Sequence, residues 1–390
     1  MDDAFWTSSP ILDRLRSQLG DLMAVERVEV QQGAELAFAF YGRLYDDPDR
    51  AFERISERFA ALGYTALLSR QKDLYRVIAV RGVARAQAPR PWVNLILFLA
   101  TLLTVMLAGA VPTPGGTFLS ALLSGLPFAA ALMGILLAHE LAHYFVARRY
   151  GSPVSLPYFV PMPFSILGTM GAVIFQRAPM RDRRALFDIG IAGPLAGFIV
   201  AVPLLLLGLV FTRVGRPSDF LPPGEQTAVV FQEGNSLLYM AAKYLIFGRA
   251  LPDPATGEDV WLSLPQSPGG PVVFAAWAGL LVTALNLLPI GQLDGGHVAY
   301  ALLGRRAWKL AYLAVGLLGA LGVYLWVMGN PAWPTWIIWA GLGLLFGPRH
   351  PPPLNDASRI GPGRTVLGIL MVIIWIVTFV PIPLVPVPVR

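Results

Sequence analysis

No cysteine occurs in this chain of 390 residues. Disulfides and thiolate metal sites are therefore excluded, and any metal must be held by histidine or carboxylate. Charge is scarce too. Asp, Glu, Lys and Arg make up 14% of the residues, against 55% that are hydrophobic, whereas soluble domains carry about 25% charged residues. Most of the chain cannot face water, and a mean hydropathy of +0.58 indicates a polytopic α-helical membrane protein. The start, Met1-Asp2-Asp3-Ala4-Phe5-Trp6, lacks a basic region followed by an apolar core and does not read as a secretory signal. The net charge of +6 comes without a nucleic-acid recognition motif. Its basic residues sit in short loops beside apolar segments, where they set topology, so no nucleic-acid partner is expected.

Residues 1–90 hold a large share of the charge and read as a small α+β soluble domain of unknown role, a regulatory or stabilising appendage. Helical spacing covers 12–23, a strand 35–44, and a helix 48–61 opened by Asp47-Pro48-Asp49 with Phe52, Ile55 and Phe59 on one face. Two strands, 64–69 and 74–80, flank the turn residues Gln71-Lys72-Asp73.

The remainder predicts about seven transmembrane helices: 93–111, 118–147, 187–210, 272–288, 310–328, 332–346 and 366–380. An amphipathic stretch, 235–247, is expected at the membrane interface. Basic clusters precede the first span and follow the second, fourth and sixth. The positive-inside rule then puts residues 1–90 in the cytosol, in a bacterial inner membrane with lipid around the spans. The organisation expected is 1–90 as a cytosolic domain, 91–117 as a first span and turn, 118–304 as a functional core, and 305–390 as C-terminal spans.

Two features of the core carry chemistry. The second span ends in Leu136-Leu137-Ala138-His139-Glu140-Leu141-Ala142-His143. His139 and His143 share one helix face and can bind one zinc, with Glu140 as general base. Ionisable groups at membrane depth cost roughly 2.5–3.5 kcal/mol each on insertion scales, so three in five residues mark function. The loop up to Ala185 is rich in Pro and Gly yet apolar: Pro153, Pro157, Pro161 and Pro163 precede Gly168-Thr169-Met170-Gly171. Irregular backbone at membrane depth must line a cavity or be buried in protein, so a re-entrant β-hairpin with an exposed strand edge is expected. Further on, Gly193 and Gly197 have the GxxxG spacing of close helix packing.

A catalytic zinc usually takes three protein ligands. Only His297 and His350 remain among the four histidines, and the downstream glutamates are Glu225, Glu233 and Glu258, all in a polar segment. Asp294 alone is an acidic residue set among the later apolar helices, after Asn286-Leu287-Leu288-Pro289 and before Gly295-Gly296. It is the third ligand expected, with His297 as the alternative. His350, beside Pro351-Pro352-Pro353, reads as a solvated loop residue.

His139-Glu140-xx-His143, Gly168-xx-Gly171 and Asn286-xx-Pro289-xxxx-Asp294-Gly295 together resemble the site-2 protease family of intramembrane zinc metalloproteases, over about 118–304. Asp188-xxx-Ala192-Gly193-Pro194 and Gly234-Asn235-Ser236-Leu237-Leu238-Tyr239 are similar to its cyanobacterial and plastid branch. The resemblance implies one zinc per chain on His139, His143 and Asp294, and Glu140 as catalytic base. It places Asn286 near a bound peptide, with Gly168, Thr169, Met170 and Gly171 in a loop that pairs with unwound substrate. The substrates implied are transmembrane proteins already trimmed by another protease. Two other readings are an inactive homologue and an ion or solute transporter. The first would not need Glu140, and the second would need a repeat that is absent from the sequence. A prenyl-protein type of zinc protease would need a downstream intramembrane glutamate, and none is present.

Overall fold

A computed structural model describes residues 10–31, 37–82, 90–111, 115–216, 219, 229–260 and 269–388. The readings made above on Met1 to Trp6 and on Glu225 lie outside the described residues.

The N-terminal domain is a four-stranded antiparallel sheet with two helices. Helix α1 (Pro10–Ser17) precedes β1 (Met23–Gln31) and β2 (Ala37–Leu44); α2 (Pro48–Ala61) precedes β3 (Tyr64–Gln71) and β4 (Leu74–Arg81). The sheet order is β1-β2-β4-β3. Helix α2 begins where expected, with Asp47 accepting from the Asp49 N–H at 3.0 Å and Pro48 in the first turn. Phe52, Ile55 and Phe59 are buried with Phe38 and Phe40 in one core. The helix expected over 12–23 is cut short. Leu12 and Leu15 anchor α1, but Val28 and Val30 alternate with polar residues and pair with Phe40 and Phe38 as β1, a period of two that overrides the helical spacing before it.

Among the described residues four helical segments are long and apolar enough to cross a membrane: α3 (Pro91–Ala108), α5 (Leu126–Arg149), α6 (Arg183–Val210), and α9 (Asp294–Leu303) continued through a 3-10 turn into α10 (Ala307–Val327). Shorter apolar helices are α7 (Leu237–Phe247), α8 (Gly270–Asn286), α11 (Trp333–Leu345) and α12 (Pro362–Thr378). The surface inverts that of a soluble protein. Leu95, Ile96, Leu99 and Leu103 of α3 are exposed, as lipid-facing residues are. The helix expected over 118–147 is two pieces, α4 (Phe118–Ser124) and α5. Pro127 in the first turn of α5 has no N–H to give and its ring excludes the carbonyl four residues back. A Cβ on Gly125 would lie 2.0 Å from the Met106 carbonyl, so the break nests against α3.

Between α5 and α6 lies a two-stranded hairpin, β5 (Tyr158–Pro161) paired antiparallel with β6 (Thr169–Val173). Past α6, the chain forms β7 (Val214–Gly215), β8 (Val229–Glu233), α7, and β9 (Asp259–Val260); β8 pairs with the C-terminal β10 (Leu384–Pro388). Helix α7 turns its polar residue inward. Lys243 is fully buried, while Leu237, Met240, Tyr244 and Leu245 are exposed.

The N-terminal domain is docked by backbone. Leu68 of β3 donates to the Leu354 carbonyl at 2.7 Å and accepts from the Asp356 N–H at 2.8 Å. Leu354 and Asn355 in turn donate to the carbonyls of Met180 and Arg181, each at 2.8 Å. Arg184 pairs with Asp49 at 2.6 Å, Asn355 donates to Asp49 at 2.9 Å, and Arg181 pairs with Glu53. Two isolated β-bridges, Leu68 to Asn355 and Asn355 to Asp182, thus tie the edge strand β3 to the start of α6.

Candidate metal centre

Helix α5 carries His139, Glu140 and His143, all buried. Asp294 opens α9 after a break that starts beyond Asn286. Pro289 stops α8, and a Cβ on Gly295 would lie 2.0 Å from the Leu287 carbonyl, so this turn closes only on a bare backbone. It brings Asp294 to the α5 histidines. The Nε2 atoms of His139 and His143 are 3.1 Å apart; the Asp294 oxygens lie 3.2 Å from His139 Nε2 and 3.3 Å from His143 Nε2. Among the described residues this is the one group of three able to hold a metal ion. Tetrahedral zinc bonded at about 2.0–2.1 Å separates its ligands by roughly 3.3 Å, so the donor set and its spacing fit zinc.

The surroundings orient the donors. His143 Nδ1 lies 2.7 Å from the Ile189 carbonyl. A carbonyl only accepts, so Nδ1 carries the proton and Nε2 keeps its lone pair for a metal. Helix α6 passes directly beneath. A Cβ on Gly193 would sit 2.1 Å from His143 Nε2 and 2.7 Å from His139 Nε2, so this glycine makes room for the donors and is more than a helix-packing residue. A Cβ on Gly190 would meet His297 Cβ at 2.8 Å. Asp188, next to Ile189, is held by two guanidinium nitrogens of Arg364 (Nε and Nη2, each at 2.7 Å) and by the Tyr150 hydroxyl.

His297 stands outside the three-donor group. Its Nδ1 lies 2.6 Å from His350 Nε2. This corrects the solvated reading of His350, which is only 6% exposed. Tyr300 packs on its ring and Trp308 donates to its carbonyl at 3.0 Å. Burial, with His297 beside it, pushes the His350 imidazole down to about 3, so it is neutral.

The donors open on a cleft of about 190 Å³. Glu140, Asn286, Gln292 and Met180 line it, together with Ala172, Val173 and Ile174 at the end of β6. Gly168, Thr169, Met170 and Gly171 do not line it. Gly168, at φ 72°, abuts the α3 backbone, where a Cβ would be 2.4 Å from the Thr104 carbonyl. The Thr169 hydroxyl donates to the Val160 carbonyl at 2.9 Å. Met170 is 70% exposed. These four residues build the hairpin, and the residues after them reach the cleft. Met180, Ile189 and Gly193 were not singled out for the site: their contributions are an apolar side chain, a backbone oxygen and empty space, none of which a motif displays.

Residues 127–322 match the profile of peptidase family M50, a span that includes all the donors and Glu140. The chain belongs to peptidase family M50. This is the family of site-2 proteases, so the motif resemblance holds. Similar curated proteins of this M50 peptidase come from plants. "Probable zinc metalloprotease EGY2, chloroplastic" of Oryza sativa subsp. indica is 29% identical, covering 95% of this chain and 67% of the relative. Its Arabidopsis thaliana namesake is 30% identical over 98% of this chain and 67% of the relative. "Probable zinc metalloprotease EGY1, chloroplastic" of Arabidopsis thaliana is 33% identical over 66% and 43%. No solved structure matches the chain.

Proposed function

We infer that this M50 peptidase hydrolyses peptide bonds within or beside the transmembrane segments of membrane proteins, with Glu140 as catalytic base. The observation that carries this is the meeting of His139, His143 and Asp294 in an apolar helix bundle, with Glu140 in the same cleft. Zinc, one ion per chain on those three residues, supplies Lewis-acid polarisation and a more acidic water. Glu140 takes the proton of the attacking water and passes it to the departing amide nitrogen as the C–N bond breaks and the C–O bond forms. Asn286, whose Nδ2 is 3.4 Å from His139 Nε2, is placed to donate to a peptide oxygen.

A helical substrate hides its carbonyls in its own hydrogen bonds and must unwind first. Among the described strands β6 pairs only with β5, leaving its other edge for an extended peptide by β-addition. We place that pairing at Ala172, Val173 and Ile174. Seven spans follow from counting α8, α11 and α12 with the four long segments, and the hairpin enters the membrane from the side of the basic loops. That side is the cytosol if the setting is a bacterial inner membrane; the relatives named above are chloroplastic. Pre-trimmed single-span proteins are the substrates proposed.

The test is Glu140→Gln in the full chain, reconstituted in lipid with a single-span reporter. Zinc content stays at the wild-type level and cleavage falls by about 10²-fold or more. Undiminished cleavage contradicts the role of Glu140.

A further inference from the structure

A second polar site lies against the middle of α8, away from the metal centre. Trp277 of α8 donates to the Gly234 carbonyl at 2.8 Å, nine residues or about 14 Å of helix before Asn286. Here Glu233 ends β8, paired with Leu384 of β10. Its side chain is 98% buried, at 2% exposure. Oε1 accepts from the Tyr239 hydroxyl at 2.9 Å, while Oε2 is buried with no partner among the described residues. The neighbouring ammonium is already committed. Lys243 Nζ pairs with Asp259 at 2.7 Å and lies over the Tyr239 ring at 4.5 Å. The other Asp259 oxygen accepts from Gln232 at 3.3 Å. Two carboxylates thus face one ammonium. Asn235 Oδ1 is likewise buried without a partner among the described residues. Glu233 and Asn235 line one cavity of about 340 Å³, walled by Pro252, Pro381, Ile382 and Val385.

A buried carboxylate without a counter-charge is costly and is relieved by a proton or by a cation. Two free acceptors fall well short of the six to eight oxygens that calcium or magnesium gathers. They suit an ammonium or guanidinium, and the apolar walls suit its aliphatic stem. A cavity of this size also exceeds what a bare ion needs.

We propose that this cavity binds an organic cation on an aliphatic stem, such as a lysine or arginine side chain, through Glu233 Oε2 and Asn235 Oδ1. The site is independent of the catalytic reading. Burial lifts Glu233 to about 8, with Asp259 adding to the lift and Lys243 and Tyr239 opposing it. Without a ligand the carboxyl holds its proton near neutral pH, and a cation that binds displaces that proton. Affinity therefore rises with pH until Glu233 ionises unaided.

The full chain in lipid nanodiscs is titrated with Nα-acetyl-arginine methylamide, n-butylammonium and the uncharged Nα-acetyl-norleucine methylamide, reading the thermal midpoint. The two cations raise the midpoint saturably and more at higher pH, and the neutral analogue does not. A single-span peptide with a lysine beside its apolar stretch competes with them if the natural ligand is a protein side chain; if only the free cations bind, the source is a small molecule. Glu233→Gln weakens binding by about 10-fold or more with zinc content unchanged. Should that variant fail to fold, Val385→Trp fills the cavity and abolishes the response. Equal response to cations and the neutral analogue, or full cation binding in either folded variant, overturns the proposal. A midpoint that rises with calcium chloride alone overturns it in favour of a metal site.

Discussion

At the scale of single residues, the metal centre depends on what α6 leaves out as much as on what α5 and α9 supply. Gly193 faces both imidazole Nε2 atoms, and a methyl there would stand 2.1 Å from one of them. Gly193→Ala adds helix propensity yet should lower zinc affinity by about 10- to 100-fold, the range for changes beside a metal's own ligands. Equilibrium dialysis against a zinc chelator measures this. Gly197, where the nearest contact would be 3.3 Å, is the milder control. The donors were legible in the sequence because ionisable groups stand out in apolar helices. Gly193 read only as a packing residue, since a space has no motif. The Ile189 carbonyl that fixes the His143 proton is backbone, which every residue possesses. His350 misled because three prolines look like a loop in water, while its pairing with His297 depends on the chain returning across 53 positions.

At the scale of elements, the catalytic fragment is buttressed from outside the family match. Residues 127–322 match the M50 profile, yet Arg364 on α12 grips Asp188 through two nitrogens, and Asp188 adjoins the carbonyl that orients His143. Arg364→Ala should loosen zinc by about 10-fold. Arg364→Lys should recover only part of this, because a lysine cannot reproduce the bidentate fork. Zinc off-rates followed with a chromogenic chelator separate this effect from general instability, which would lower the thermal midpoint of both variants without a graded change in off-rate. The bounds of most helices and strands could be read from periodicity. The breaks could not: Gly125 and Pro127 interrupt an apolar run whose hydropathy does not change, and the turn from Ser17 to Met23 hides between two regular patterns.

At the scale of the molecule, a run of backbone hydrogen bonds links the N-terminal domain to the cleft. β3 pairs with 354–356, and 354–355 with Met180 and Arg181; Met180 lines the site. Strand partners about 290 residues apart in sequence leave no local signal, so the domain read as an appendage. Burial lifts the Asp49 carboxyl above its ordinary range even beside Arg184, so the ion pair adds little to the backbone hydrogen bonds of Leu68. Asp49→Asn should leave docking nearly intact. Asp49→Lys sets two cations face to face, and should speed hydrogen exchange at the docking amides of Leu68 and Asp356 and slow reporter cleavage several-fold with zinc retained. Unchanged cleavage by an undocked enzyme would separate the domain from the cleft.

The account stands on a zinc site split between α5 and α9. Its most direct test is the metal content of the purified full chain and of two variants, by mass spectrometry after removal of loosely bound ions. The account predicts one zinc per chain in the wild type and in His297→Ala, and loss of the metal in Asp294→Ala. Full occupancy in Asp294→Ala with loss in His297→Ala would contradict it.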